Sequence, residues 1–292
     1  MSSKFGPATS SVWSTPSYHA ASRTLFFGTD ANNAPRRPTK DNPRLDTRYA
    51  CAVIAVDARD GSQKWVTQIN TGDIWNASMR PYDSKTGRYL DLSIGDTPKI
   101  YTIVWDGAPT LVVGFGCNNG GYYVVRASDG VILAHTPLNT GPPRDPPDAP
   151  PDPRTLALPN VLGGLQTGCA MDGQRVYING IDAIQLWTQD SPEKKRPPTA
   201  GRVVAISLDT KHEHGRHERL KVASVGGPPP TPVFTNVGDP VASGIAVAND
   251  VIYFTTLRTS RLVALAASAG KTLCEIQLPP VWSGPAVSRG RV

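Results

Sequence analysis

The sequence predicts an all-β protein, a β-propeller built from four-stranded antiparallel blades. The first observation is a recurring unit of a short strand, a turn with glycine and a second strand. Its copies begin at residues 51, 121, 201 and 260 and read CAVIAVDARDGSQKW, GYYVVRASDGVILAH, GRVVAISLDT and SRLVALAASAGKTLCEI. Short strands that recur at intervals of tens of residues are typical of a propeller or another repeat array. The second observation is the content of 27 Gly and 28 Pro, which suits many turns between short strands.

The β-branched and aromatic runs between turn residues fall into groups of four, and each group predicts one blade. The predicted strands are 12–18, 24–27, 51–56 and 64–69; 98–104, 110–115, 122–126 and 131–135; 166–171, 175–178, 202–208 and 220–224; and 243–248, 251–255, 262–266 and 272–277. A fifth group opens at residues 282–287, where VWSGPAV (281–287) repeats the VWSTPSY of residues 12–18. No stretch has sustained helical periodicity.

The connections between these strands are long and polar. Residues 137–159 carry PPRDPPDAPPDP, which is too rich in proline for a strand or a helix. The strand pattern resumes on each side of every such connection, so we expect one propeller domain over residues 1–292. Four blades and a fraction form part of a ring, and the sequence therefore predicts a domain that is truncated at both ends.

Charge and hydropathy exclude several classes of function. The net charge of +6 is spread over loops, with no basic stripe interleaved with aromatic residues, so no nucleic-acid partner is expected. The sequence contains no run of about 18 apolar residues, so no membrane span is predicted. The first residues also lack the apolar core of a signal peptide. The cysteines include no C-x-x-C pair. Cys51 and Cys274 lie in apolar strands and are expected to be buried thiols.

Three segments carry a family resemblance: residues 12–35, residues 47–78 and residues 162–180. They resemble the alcohol dehydrogenases that depend on pyrroloquinoline quinone (PQQ), and most of all their polyvinyl-alcohol-dehydrogenase-like branch. Within them Ala55, Asp57, Gly61 and Trp65 match the family's tryptophan-docking motif A-x-D-x-x-x-G-x-x-x-W, whose tryptophan packs between neighbouring blades. The resemblance implies an eight-bladed propeller that holds PQQ on its axis beside a Ca²⁺ ion.

The resemblance also implies roles for two residues of the first blade. Trp13 matches the tryptophan that forms the floor under the quinone, and a flat cofactor needs such an aromatic face. The alternative is a blade-core tryptophan, because Trp282 repeats the same motif. Asp73, in TGDIWN, matches the family's catalytic aspartate, which takes the substrate hydroxyl proton or helps to hold the metal. The alternative is an aspartate that forms a turn after Gly72.

The remaining site positions depart from the family pattern. GTDANN places Ala31 where the family has a ligating asparagine, so Asn32 would have to serve as the calcium ligand after a local shift, or the metal site is lost. Asn118 stands where the family has Lys or Arg, and an amide donates hydrogen bonds but supplies no positive charge. Gln166 is expected to contribute a further cofactor contact.

The function that the resemblance implies is oxidation of an alcohol, secondary or polymeric, with PQQ as the hydride acceptor. The electrons would pass to a cytochrome or a quinone, and the family location is periplasmic or secreted. The alternative is a non-catalytic propeller of the same repeat family that acts as a scaffold or binding module. Ala31 and Asn118 favour that alternative, and the fold alone supports both.

Overall fold

The structure is a computed structural model that describes residues 10–31, 49–71, 82–83, 88–89, 92–137, 155–156, 164–182, 185–186, 200–208, 234–241 and 243–292. Every regular element in these ranges is a β-strand. The predicted all-β class is therefore confirmed. None of these residues forms a helix long and apolar enough to cross a membrane.

The first half of the chain contains two four-stranded sheets and a small hairpin. The strands are β1 (Ser17–His19), β2 (Thr24–Gly28), β3 (Ala52–Asp57), β4 (Gln63–Gln68), β5 (Tyr82–Asp83), β6 (Arg88–Tyr89), β7 (Lys99–Trp105), β8 (Ala108–Gly116), β9 (Gly121–Arg126) and β10 (Ile132–Pro137). Strands β1 to β4 form blade 1, and β7 to β10 form blade 2. The hairpin β5–β6 lies between them in the sequence.

The second half repeats this arrangement. The strands are β11 (Thr155–Leu156), β12 (Ala170–Met171), β13 (Arg175–Asp182), β14 (Gln185–Leu186), β15 (Ala200–Ser207), β16 (Phe234–Gly238), β17 (Ala246–Ala248), β18 (Val251–Thr255), β19 (Arg261–Ala266) and β20 (Thr272–Gln277). Blade 3 has the order β12-β13-β15-β16, and blade 4 has the order β17-β18-β19-β20. The short strands β11 and β14 pair with each other.

All four blades are antiparallel, and each has its first strand at one edge of the sheet. The first strands of different blades approach one another, β1 with β7 and β12 with β17. Blades in a propeller are arranged radially around a central channel, so the first-strand edge is the inner edge. The prediction of four four-stranded antiparallel blades is confirmed.

Three strand predictions were wrong in detail. The last strand of blade 3 is β16 at Phe234–Gly238, whereas the sequence predicted residues 220–224, which lie outside the described residues. Residues 220–224 and 234–238 both contain β-branched residues, so local sequence does not determine which run forms the strand. Pairing with β15, which is remote in sequence, determines it. The strand β11 lies inside the proline-rich connection for which none was expected. Residues 282–287 form no strand, and the bridge Ser288–Arg291 follows them.

Each hydrophobic core lies between two neighbouring blades. Successive side chains of a strand point to opposite faces, so a blade between two others buries both faces. In blade 2, Val113, Phe115 and Tyr123 pack with residues of blade 1, while Val112 and Tyr122 pack with residues of blade 3. A third core joins blades 3 and 4. The seams between blades are therefore where most apolar surface is removed from water.

The tryptophan-docking motif joins blade 1 to blade 2 as predicted. Trp65 on β4 is 7% exposed, and its indole Nε1 donates a hydrogen bond to the carbonyl of Ala127, at 3.0 Å. Its ring covers Gly130, where a Cβ would lie 2.6 Å from the ring atom Cε3. On the same face of blade 1, the ring of Phe26 lies 5.7 Å from that of Trp65.

The other residues of the motif shape the β3–β4 turn. Arg59 donates to the Asp57 carboxylate from its backbone N–H and from its guanidinium, at 2.8–3.0 Å. These hydrogen bonds hold the pKa of Asp57 well below its usual value. Gly61 has a φ of 73°, in the left-handed region that glycine adopts without strain. The turn therefore brings Trp65 back along β3 to face the next blade.

Blade 4 leaves one face uncovered in the described part of the chain. By strand register, Tyr253, Ala264 and Cys274 lie side by side as Phe26, Ala55 and Trp65 do in blade 1. Strand β20 is exposed along its whole length, Cys274 included. The predicted burial of Cys274 was therefore wrong, because burial of this strand depends on a further blade, whereas Cys51 is buried as predicted.

Candidate functional site

A short segment precedes the first strand of each of the four blades, a fifth such segment follows blade 4, and these lead segments follow the inner edges. The lead segments are residues 12–16, 94–98, 165–169, 243–245 and 281–285. Most of the residues that the sequence predicted as the beginnings of first strands are in these segments instead. The repeat of VWSTPSY as VWSGPAV is a repeat of this element, so the chain does begin a fifth unit after blade 4.

Hydrogen bonds fasten the lead segments that follow blades 1, 2 and 4 to the preceding blade. The Ile94 N–H donates to the Thr29 carbonyl at 3.0 Å, and the Leu165 N–H donates to the Cys117 carbonyl at 3.3 Å. Further along, the Thr255 hydroxyl donates to the Ser283 carbonyl at 3.0 Å. The same connection recurs from blade to blade, so the inner edges are held in a fixed order.

Trp13 lies across the lead segments at the inner edge. Its ring atoms Cη2 and Cζ2 are 2.5 and 2.7 Å from where a Cβ on Gly95 would be, and the carbonyl of Gln166 is also in contact with that position. A residue larger than glycine at position 95 would therefore displace the indole. Trp13 remains 49% exposed, which leaves much of its ring surface open. Blades 1, 2 and 3 thus meet at one accessible indole.

Gly95 is a site residue that sequence reasoning missed. The signal was present, because SIGDTP (93–98) aligns with the lead segment of blade 1 and has glycine opposite Trp13. The contact itself joins residues 82 positions apart, and only the blade arrangement brings them together. The backbone carbonyl of Gln166 lies beside this contact, and that its side chain contacts a cofactor stays a prediction.

Asn118 occupies the seam between blades 1 and 2 and is 2% exposed. Its side-chain Oδ1 accepts a hydrogen bond from the Ser93 N–H at 2.8 Å, and its own N–H donates to the Ser93 carbonyl at 3.1 Å. These contacts fix Asn118 to the lead segment of blade 2. Its side-chain oxygen therefore accepts a hydrogen bond from within the fold. That it contacts a cofactor stays a prediction.

Asp96 joins blades 2 and 3 next to Gly95 and is fully buried. Its Oδ1 accepts from the Cys169 N–H at 2.8 Å and from the Lys99 ammonium at 2.9 Å, and its Oδ2 accepts from the Gly116 N–H at 2.9 Å. A buried carboxylate with three donors is stable without water. Asp96 therefore has a structural role in joining the two blades. Burial raises the pKa of the neighbouring Cys169 thiol, which keeps that thiol protonated.

The predicted metal position is described only in part. Ala31, where the family has a ligand, is 3% exposed. Both oxygens of the adjacent Asp30 are engaged, since Oδ1 accepts from the Ala31 N–H and Oδ2 accepts from the Ser11 hydroxyl. Asn32 and Asp73 lie outside the described residues. Within the described ranges, no group of three or more His, Cys, Asp or Glu side chains could hold a metal ion.

Further along the inner edge, the lead segments contact one another at glycine residues and not through a bulky side chain such as that of Trp13. A Cβ on Gly284 would lie 2.7 Å from the carbonyl oxygen of Gly244, and one on Gly244 would lie 3.7 Å from that of Gly168. The inner edge thus combines an exposed indole with close-packed backbone. A flat aromatic ring can stack on an exposed indole face of this kind.

Comparison with known proteins supports the family resemblance. No protein-family model matches the chain. The chain is 29% identical over 193 residues to a polyvinylalcohol dehydrogenase of Sphingopyxis sp. (strain 113P3), covering 64% of this chain and 25% of that protein. It is also 29% identical over 170 residues to a lupanine 17-hydroxylase [cytochrome c] of Pseudomonas sp., covering 53% of this chain and 22% of that protein.

Solved structures show the same fold. The chain superposes on the quinohemoprotein alcohol dehydrogenase ADHIIG of Pseudomonas putida HK5 with a TM-score of 0.65 and 14% identity, over 94% of this chain and 42% of that one. For a europium-containing methanol dehydrogenase the TM-score is 0.60 at 17% identity, over 93% and 47%. The chain spans less than half the length of these relatives. The chain therefore resembles, in sequence and in its β-propeller fold, part of a quinoprotein alcohol dehydrogenase.

Proposed function

We propose that this chain is part of a quinoprotein dehydrogenase that oxidises an alcohol with PQQ as the hydride acceptor. The observation that carries the proposal is the half-exposed indole of Trp13, which lies on Gly95 where the inner edges of three blades meet. A tricyclic quinone needs an aromatic face of this kind. Three of the similar proteins are named as dehydrogenases of polyvinyl alcohol, methanol or another alcohol, and this supports the same chemistry.

PQQ would supply the electrophilic carbonyl that accepts hydride, and the residues of this chain would orient and polarise the reactants. Trp13 would form the floor on which the quinone ring rests. Asn118 would donate a hydrogen bond from its Nδ2, and Gln166 would contribute a contact from the lead segment of blade 3. Because no positive charge accompanies Asn118, the reduced cofactor would be stabilised less than by a lysine or arginine.

Asp73 would act as the general base that removes the hydroxyl proton of the substrate. Together with Asn32 it would also supply oxygen ligands to Ca²⁺, which accepts carboxylate and amide oxygens. The substrate class would be a secondary or polymeric alcohol. A cytochrome or a quinone would receive the electrons, and the location would be periplasmic or secreted, as for the family.

The alternative is a scaffold or binding propeller without catalysis. Two observations favour it: Asn118 supplies no positive charge to a reduced quinone, and Ala31 offers no ligating side chain at the metal position. The alternative keeps the same fold and differs only in cofactor binding.

The test is reconstitution of the protein with PQQ and Ca²⁺, followed by dye-linked oxidation of a secondary alcohol and of polyvinyl alcohol. We expect activity that requires PQQ and falls at least a hundredfold in Asp73→Asn, because a general base commonly contributes 10² to 10⁴. PQQ-dependent activity that Asp73→Asn leaves unchanged would remove Asp73 from the mechanism. Absence of both PQQ binding and activity would favour the scaffold.

A further inference from the structure

We propose that Cys51 and Cys117 are the site of a disulfide that joins blade 1 to blade 2. Both thiols are fully buried in the core between the two blades. Their sulfur atoms lie 3.8 Å apart, although 66 positions separate the two residues in the sequence. The two thiols are therefore in direct contact, and each comes from a different blade.

The backbone on both sides of the pair is fixed. The Cys51 N–H donates to the Asp30 carbonyl at 3.0 Å, and the Ile69 N–H donates to the Cys51 carbonyl at 2.8 Å. The Cys117 N–H donates to the Gly121 carbonyl at 3.0 Å. A disulfide has an S–S distance of about 2.05 Å, so the sulfurs must approach by 3.8 minus 2.05, or about 1.75 Å. Rotation about the Cα–Cβ bonds moves the two sulfurs relative to each other while the hydrogen-bonded backbone stays in place.

Cys51 occupies a backbone position that most residues avoid. Its φ is 44°, in the left-handed region that favours glycine or asparagine. A side chain with a β-carbon is strained there, and glycine would relieve the strain. Ser260, at the same position before the third strand of blade 4, has a φ of 52°, so this conformation belongs to the turn and sets the direction in which the Cys51 side chain leaves the backbone.

The chain offers two internal controls. Cys169 is buried in a different core, between blades 2 and 3, and Cys274 lies exposed on β20 of blade 4. Neither lies in the seam that holds the proposed bond. A random oxidation would favour the exposed Cys274, whereas a bond set by the fold would select Cys51 and Cys117.

The reaction is thiol–disulfide exchange with a low-molecular-weight disulfide such as oxidised glutathione as the oxidant. One cysteine thiolate attacks the oxidant, forms a mixed disulfide and releases one glutathione thiol. The second cysteine thiolate then attacks the protein sulfur of the mixed disulfide and releases the second glutathione thiol. The protein loses two electrons and two protons, and the oxidant gains both. Since both thiols are buried, exchange takes place before blades 1 and 2 have closed on each other.

The bond would close a loop of about 65 residues and hold the seam beside Asn118, which follows Cys117 in the chain. The Asn118 Oδ1 lies 4.0 Å from the Cys117 sulfur. A cross-link here therefore restrains the inner edge near the proposed cofactor position. It does not depend on the cofactor being bound.

The test is refolding of the protein with oxidised and reduced glutathione, followed by alkylation of thiols under denaturing conditions and peptide mapping by mass spectrometry. We expect two alkylated cysteines, Cys169 and Cys274, and a linked pair of peptides that contain Cys51 and Cys117. The apparent Tm should exceed that of the reduced protein by about 10 °C. Four alkylated cysteines, or a bond that includes Cys274, would overturn the proposal.

The variants Cys51→Ser and Cys274→Ser form a matched pair. The first should abolish the linked peptides and the difference in Tm between oxidised and reduced protein, and the second should change neither. If Cys51→Ser fails to fold, the peptide map of the unmodified sequence still decides. Because no readout involves PQQ or an alcohol, failure of this proposal is distinguishable from failure of the proposed function.

Discussion

Replacement of Trp65 by alanine should weaken the seam between blades 1 and 2. The indole is 7% exposed, covers Gly130 and donates a hydrogen bond to the Ala127 carbonyl at 3.0 Å. Truncation of a buried tryptophan to alanine costs about 3–5 kcal/mol in the free energy of unfolding. Of this, about 1 kcal/mol belongs to the lost hydrogen bond. At roughly 2–4 °C for each kcal/mol in a domain of this size, the Tm should fall by about 10 °C.

The assay is urea and thermal unfolding followed by far-ultraviolet circular dichroism. Trp65→Phe keeps an aromatic ring in the seam and loses the hydrogen bond, so it should cost about 1 kcal/mol. Trp282→Ala is the matched control, since the same side chain is 74% exposed there and its truncation should stay within about 0.5 kcal/mol. Equal effects of Trp65→Ala and Trp282→Ala would refute the argument that blade docking stabilises the fold.

Three further predictions concern single residues. Gly95→Ala should displace the Trp13 indole and shift its fluorescence emission, with a loss of about 1–3 kcal/mol in unfolding free energy; an unchanged spectrum would contradict the contact. Asp96→Ala should cost about 3–5 kcal/mol in urea unfolding, because it leaves the Lys99 charge buried without its partner; a cost below 1 kcal/mol would show that water replaces the carboxylate. Burial lowers the pKa of His135 in the folded protein below its ordinary value of about 6.5. The unfolded chain therefore binds this proton more tightly than the folded protein does, and the free energy of unfolding should fall as the pH drops below 6.5. In His135→Gln that part of the pH dependence should disappear from the urea midpoint.

Much of the fold could be predicted from local sequence, because β-branched runs bounded by glycine turns identify most of the strands. The docking role of Trp65 was predictable from the family resemblance, because Ala55, Asp57, Gly61 and Trp65 match the family's docking motif. The strand Phe234–Gly238 was missed because its pairing with β15 is set by contacts that are remote in sequence. The exposure of Cys274 was missed because it depends on what packs on blade 4 and not on the strand itself.

The candidate site was less accessible to prediction. Trp13 could be named because of its motif. The alignment of the lead segments places Gly95 opposite Trp13, but the contact between them joins two blades and depends on how the blades pack. Asn118 could be named by its position, yet its hydrogen bonds to Ser93 are a property of the folded seam. For Asp73 and Asn32, which lie outside the described residues, the predicted roles stay predictions, as does the single domain over residues 1–292.

The central claim is that Trp13 forms the floor of a PQQ site, and a titration of the protein with PQQ tests it most directly. The bound fraction is followed by calorimetry and by the loss of tryptophan fluorescence. Trp13→Ala should weaken PQQ binding by about 10- to 100-fold, as expected when a central aromatic contact is removed, while Trp282→Ala should leave the Kd unchanged. Equal PQQ affinity in the Trp13→Ala variant and the unmodified protein, or no PQQ binding to the unmodified protein, would contradict the claim.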